Sequence, residues 1–143
     1  MFDNTKILIV DDTPANLAVI TETLSSHGYP TAAVTSGERA LQWLETFKAN
    51  LILLDVQMPG MDGFETCQRI KANASTADIP IIFITALSNI DNIAKGFSLG
   101  AVDYIRKPFQ ESEMKARVNT QMRMQQLNQT LEQQVANRPH QIE

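Results

Sequence analysis

One cysteine in 143 residues excludes an internal disulfide, and the place of Cys67 in the helical pattern from Phe64 to Ile70 makes it a small buried hydrophobe rather than a reactive thiol. No run of 18 apolar residues occurs, and no charged, apolar, small-residue leader opens the chain. Membrane spanning and export therefore have no signal, and the expected compartment is cytoplasmic. Twelve Lys and Arg against 16 Asp and Glu give a net charge of −4, with no basic stripe interleaved with aromatics. Direct nucleic-acid binding has no electrostatic support in such a pattern. With 43% hydrophobic residues, the composition suits one globular domain with a single core and an appendage.

The apolar residues come in two alternating patterns. Short β-branched runs at Lys6–Val10, Leu51–Leu54, Ile81–Ile84 and Val102–Arg106 read as strands buried on both faces of a parallel sheet, and a further strand runs through about Thr31 to Val34. Between them lie helical spacings: Leu17, Ile20 and Leu24 behind Pro14 and ended by Gly28; Ala40, Leu41, Leu44 and Phe47 turned inward behind a Ser36 cap, with Trp43 at the edge; Phe64, Cys67 and Ile70 after a turn-rich Met58–Gly63 loop; and about Asn89 to Leu99, leading through Gly100. Pro80 opens the fourth strand, where a missing ladder donor is tolerated. Five strand–helix alternations predict an α/β doubly wound sheet, in which ligands bind beyond the carboxyl ends of the strands.

Polar residues sit at those ends. Asp11 and Asp12 follow the first strand, Asp55 the third, Thr85 closes the fourth and Lys107 the fifth. Three carboxylates meeting at adjacent strand ends would raise one another's pKa unless a cation lay among them. The ligands are hard oxygens without nearby Cys or His, so Mg²⁺ or Mn²⁺ fits far better than zinc. A helix cap would employ one Asp and would explain neither Asp55 nor Lys107. A compact lysine ammonium and a Thr85 hydroxyl suit a phosphoryl group, although a lysine taken alone is usually just solvated, and a strand threonine usually just fits its strand.

The combination resembles the response-regulator receiver domain of two-component signalling, over about residues 5 to 120. It comprises the acidic pair after strand one, Asp55 within Leu54-Asp55-Val56-Gln57-Met58-Pro59-Gly60-Met61-Asp62-Gly63, Thr85-Ala86, and Tyr104 three residues before Lys107-Pro108. The resemblance implies a five-stranded parallel sheet of flavodoxin-like order 2-1-3-4-5. It implies that Asp55 accepts a phosphoryl group from a phosphohistidine on a sensor histidine kinase or phosphotransfer protein. By the same resemblance Asp11, Asp12 and Asp55 hold Mg²⁺ with the Gln57 backbone carbonyl, Lys107 contacts the phosphoryl group, Thr85 and Tyr104 form the switch pair, and the Lys107-Pro108 bond is cis. Such a domain is a signalling element that assists its own phosphorylation and dephosphorylation rather than an enzyme. His27 and His140, at a helix end and in the tail, are poor phosphodonors and read as solvated.

Two rival readings are weaker. A flavodoxin-like flavin-binding protein needs a Ser/Thr/Gly-rich phosphate loop after strand one, where this chain has two carboxylates. A Mg²⁺-dependent aspartyl phosphatase usually carries its acid two residues after the nucleophile, where this chain has Gln57. Residues 1–120 read as the receiver domain and residues 121–143 as a helical extension, a coiled-coil linker to a downstream output domain. Within it the helical pattern continues from about Glu111 to Asn137 before Pro139, Met114 and Val118 face the sheet, and Met124, Leu127, Leu131 and Gln134-Val135 recur at alternating three- and four-residue steps. That seam predicts a homodimer through the helix, against the plainer alternative of a frayed Gln-rich tail.

Overall fold

The computed structural model describes residues 6–86 and 90–136. The chain alternates β1 (Ile7–Val10), α1 (Pro14–Ser25), β2 (Thr31–Val34), α2 (Gly37–Thr46), β3 (Leu51–Asp55), α3 (Gly63–Ala72), β4 (Ile81–Ala86), α4 (Ile90–Ser98), β5 (Asp103–Lys107) and α5 (Glu111–Ala136). All neighbouring strands pair in parallel in the order β2-β1-β3-β4-β5. The chain therefore reverses direction across the sheet between β1 and β3, where a doubly wound sheet opens its crevice.

Side chains alternate across the sheet and so build two cores. Ile7, Ile9, Leu51, Leu53, Ile82, Ile84 and Ile105 pack under α1 and α5, against Leu17, Ile20, Leu24, Met114, Val118 and Met122. Leu8, Val10, Ile52, Leu54, Ile81 and Phe83 pack on the other face with Ala40, Phe64, Cys67 and Ile70 of α2 and α3. Burial on both faces explains why β1, β3 and β4 read as unbroken apolar runs, whereas the expectation fails at the sheet edge for β5, which like β2 is only partly buried and is preceded by an exposed Val102.

Local signals end the helices much as expected. Pro14 occupies the first turn of α1, and the Ser36 hydroxyl accepts the Arg39 N–H at the start of α2. Asp62 caps α3 through the Glu65 N–H, and Cys67 is fully buried. The Lys107-Pro108 bond is cis. One expectation is corrected. Phe47 does not face inward: α2 stops at Thr46, Phe47 takes an extended conformation at the C-cap, and its ring is 53% exposed, tilted against Trp43 at 5.2 Å. Helical spacing loses its meaning one residue past the last turn. Pro139 and His140 lie outside the described residues, while His27 is exposed.

Gly63 fixes how the β3–α3 loop closes. Its N–H donates to the Val56 carbonyl at 2.9 Å, and a Cβ there would stand 2.2 Å from the Asp55 carbonyl oxygen and 2.8 Å from Val56 Cα. Only backbone could yield. We predict that Gly63→Ala costs about 1–3 kcal/mol, the usual range for overpacking. Thermal denaturation should then show a loss of several degrees, at roughly 2–4 °C per kcal/mol for a chain of this size. An unchanged melting temperature would mean that the close approach is not sustained in solution.

Candidate functional site

Strand alternation delivers the site. Asp11 follows Ile7 and Ile9 in parity, Asp55 follows Leu51 and Leu53, and Lys107 follows Ile105, so all three belong to the face covered by α1 and α5. The pairing of Val10 with Leu54 puts Asp11 level with Asp55 across adjacent strands. Oxygens of Asp11, Asp12 and Asp55 all lie within 4.8 Å of one another. Lys107 Nζ stands 3.2 Å from Asp55 Oδ1 and 4.0 Å from Asp11 Oδ2. Two of the three carboxylates, those of Asp11 and Asp55, thus face the Lys107 ammonium.

Each carboxylate has a different setting. Asp11 is fully buried; its Oδ1 accepts the Thr13 N–H at 2.9 Å and its Oδ2 accepts the Asn16 side-chain amide at 3.4 Å. Asp12 is half-buried and, among the described residues, accepts a hydrogen bond from the Thr13 hydroxyl alone, at 3.5 Å. Thr13 itself holds the N-cap position of α1 without a side-chain cap bond, so neither aspartate is retained as a helix cap. Asp55 is 1% exposed, and its Oδ1 accepts from Lys107 and from the Gln57 N–H at 3.3 Å. Its Oδ2 is buried with no hydrogen-bond partner among the described residues. Burial first, then the neighbouring Asp11 charge, pushes the Asp55 carboxyl up from 3.8 to about 6, against the pull of Lys107 and the Gln57 N–H.

An orphaned buried carboxylate oxygen costs about 1–3 kcal/mol, and more when charged. Such a cost persists where the group has a partner to receive. The donors are hard oxygens from three acidic side chains, a set that fits a Mg²⁺-like divalent cation and would be poor for zinc. A partly desolvated carboxylate beside an ammonium is also a suitable nucleophile and anchor for a phosphoryl group.

Thr85 and Tyr104 lie on the opposite parity, with Ile81 and Phe83, toward α4. Thr85 is 3% exposed. It shares with Tyr104, Val56, Phe83 and Ile93 the wall of a cavity of ≈ 10 Å³, barely the room of one water. The predicted switch residues therefore line one small cavity together. Gln57 is exposed, and its backbone N–H binds Asp55.

Sequence reasoning missed three contributors. Asn16 reaches Asp11 from the first turn of α1, which the Pro14 position alone did not reveal. Gly63 shapes the loop behind Asp55 by close approach, which no local pattern records. Arg117 packs on Tyr104, and its only sequence signal was the four-residue step from Glu113.

A family model described as the response regulator receiver domain matches residues 7–119. A probable cyclic di-GMP phosphodiesterase of Vibrio cholerae is 44% identical over 116 residues, 81% of this chain and 26% of that protein. The DNA-binding dual master transcriptional regulator RpaA of Synechocystis is 39% identical over 118 residues, 82% of this chain and 49% of that protein. The chain thus spans half or less of these curated relatives. Among solved structures, the signal receiver domain of a signal transduction histidine kinase from Syntrophus aciditrophicus superposes with a TM-score of 0.76 at 32% identity, covering 82% of this chain and 89% of that one.

Proposed function

The chain belongs to the response regulator receiver domain family of phosphorylatable signalling modules, and from that premise we propose that Asp55 is its phosphoacceptor. The observation that carries the reading is the buried Asp55 carboxylate, with one oxygen held by Lys107 and the other without a partner among the described residues. In the reaction an Asp55 oxygen forms a bond to phosphorus while the bond to the imidazole nitrogen of a phosphohistidine breaks, and the imidazole keeps the electron pair. The donor is a sensor histidine kinase or a phosphotransfer protein. Asp11, Asp12 and Asp55, with the Gln57 carbonyl, are the residues to hold Mg²⁺ or Mn²⁺. That ion supplies neutralisation of charge on the transferring group, the main demand of a loose transition state. Asn16 and the Thr13 N–H orient Asp11 for this work, and Lys107 binds a phosphoryl oxygen.

Thr85 offers a hydroxyl to the new phosphoryl oxygens, and Tyr104 follows into the space beside it, changing the face of α4, β5 and α5. The flavin reading has no support in the family or in the acidic strand ends. The relatives' printed activities belong to longer proteins, so turnover of any other substrate, and DNA binding, would fall to a downstream output domain. No helix among the described residues is long and apolar enough to cross a membrane.

The test is Lys107→Ala followed by amide NMR with beryllofluoride, a phosphoryl mimic, and Mg²⁺. Fold and metal binding should persist while the α4 shifts seen in the parent vanish. Full-size shifts in the variant would remove Lys107 from the coupling.

The extension supports self-association. α5 runs 26 residues, and Val118 and Met122 are buried against the sheet while Met124 and Leu127 are 51% and 63% exposed. The side chains of Leu131, Gln134 and Val135 lie outside the described residues. We expect a weak parallel helix pair, since about two heptads give a short seam. Sedimentation should show concentration-dependent dimers for the full chain and monomers for a chain ending at Thr120. A full chain that stays monomeric at high concentration, phosphorylated or not, leaves the frayed tail.

A further inference from the structure

The Tyr104 ring is held from two helices at once. Phe97 of α4 meets it edge-on at 6.0 Å, and the Arg117 guanidinium of α5 lies 5.2 Å from its centroid. The guanidinium is itself fixed: Nη1 donates to Asp103 Oδ1 at 2.5 Å, and Nε and Nη2 donate to Glu113 Oε2 at 3.3 and 3.2 Å. Asp103 Oδ1 also accepts the Tyr104 N–H at 2.8 Å. One carboxylate oxygen therefore ties the backbone that carries the ring to the cation stacked on it. The cavity on the Thr85 side is too small to admit the ring as it stands.

We propose that Arg117, braced by Asp103 and Glu113, is a positioning residue that clamps Tyr104 in its resting place and thereby sets how strongly the Asp55 site must be loaded before the switch turns. The proposal rests on the reading of Thr85 and Tyr104 as the switch pair. Movement of the ring toward Thr85 would break the stack with Arg117 and the edge contact with Phe97, while the guanidinium stays behind with its two carboxylates. A state stabilised by such a contact lowers the apparent affinity of any ligand that favours the other state, by the factor the contact contributes. Cation–π pairs at partly exposed sites contribute a factor of roughly two to five.

The experiment is a double-mutant cycle on the full chain, titrating beryllofluoride with saturating Mg²⁺ and following amide and Tyr104 ring shifts by NMR. Arg117→Met should lower the half-saturating beryllofluoride concentration roughly two- to fivefold in the parent, and leave it unchanged in a Tyr104→Leu background. Glu113→Gln, which only loosens the guanidinium, should move the midpoint the same way by less, and serves if Arg117→Met folds poorly. An unmoved midpoint in both Arg117→Met and Glu113→Gln, or an equal shift with and without the Tyr104 ring, would overturn the clamp. If the Tyr104 ring signals of the parent do not respond to saturating beryllofluoride, the switch reading itself fails and takes the clamp with it; a responding ring with a midpoint indifferent to Arg117 removes the clamp alone.

Discussion

Chelation of divalent metal should suppress phosphorylation of this chain by acetyl phosphate roughly 100-fold or more, the scale on which loss of a main electrostatic stabiliser of a transition state is felt. The site explains the size. Asp11, Asp12 and Asp55 crowd their oxygens within 4.8 Å, and the one ammonium among them, Lys107, is already engaged with Asp55 Oδ1. A phosphoryl group would bring further negative charge into a place that already repels it. Mg²⁺ or Mn²⁺ removes that obstacle, and Asp12→Asn should slow labelling while Asp55→Asn abolishes it. Asp12 is the least encumbered of the three, meeting among the described residues only the Thr13 hydroxyl, so its substitution reports on the metal rather than on the fold. Intact-mass measurements with and without chelator read the result. Undiminished labelling in chelator would mean that the cluster works without an ion.

The second expected effect is on stability. Without metal, Asp55→Asn should make the protein more stable at pH 7, by about 1–3 kcal/mol once solvent screening is allowed for. The Asp55 carboxyl is raised from 3.8 to about 6 in the folded chain, and each pKa unit corresponds to about 1.4 kcal/mol. The sign follows from proton binding. Between the two values the folded protein binds the proton more tightly than the unfolded chain, so parent stability falls as pH rises through that window. Below about pH 3.8 both states are protonated and the penalty is absent; above about pH 6 it is complete. The gap between variant and parent should therefore open from pH 4 to pH 6 and then level off. Urea denaturation across that range in chelator measures it. In the variant Lys107 keeps Asp11 as a carboxylate partner at 4.0 Å, so its charge is not left alone. Added Mg²⁺ should stabilise the parent far more than the variant, because it binds only the folded cluster. A gap that stays flat with pH would deny that Asp55 is strained in the metal-free fold.

What the sequence disclosed, it disclosed through periodicity. The residues just past each buried run placed Asp11, Asp55 and Lys107 together, because ligands in a doubly wound sheet bind beyond the carboxyl ends of its strands, and the family resemblance supplied the strand order that the structure has. Pro14 and Ser36 marked helix starts through chemistry local to a few residues. Phe47 escaped for the opposite reason: Thr46 ends α2 without a glycine or asparagine to signal the stop, and the apolar spacing carries on by accident. The contacts that refine the site join residues far apart in the chain. Gly63 against the Asp55 carbonyl and Arg117 over Tyr104 depend on how α3 and α5 settle on the sheet, which no window of sequence contains.

The central claim is that the phosphoryl group goes onto Asp55. Phosphorylating the full chain with acetyl phosphate and Mg²⁺, reducing the acyl phosphate with borohydride and sequencing the peptides by mass spectrometry locates it. The predicted result is one reduced residue, at position 55, absent from Asp55→Asn. Label at Asp11, Asp12 or a histidine with Asp55 unmodified would contradict it.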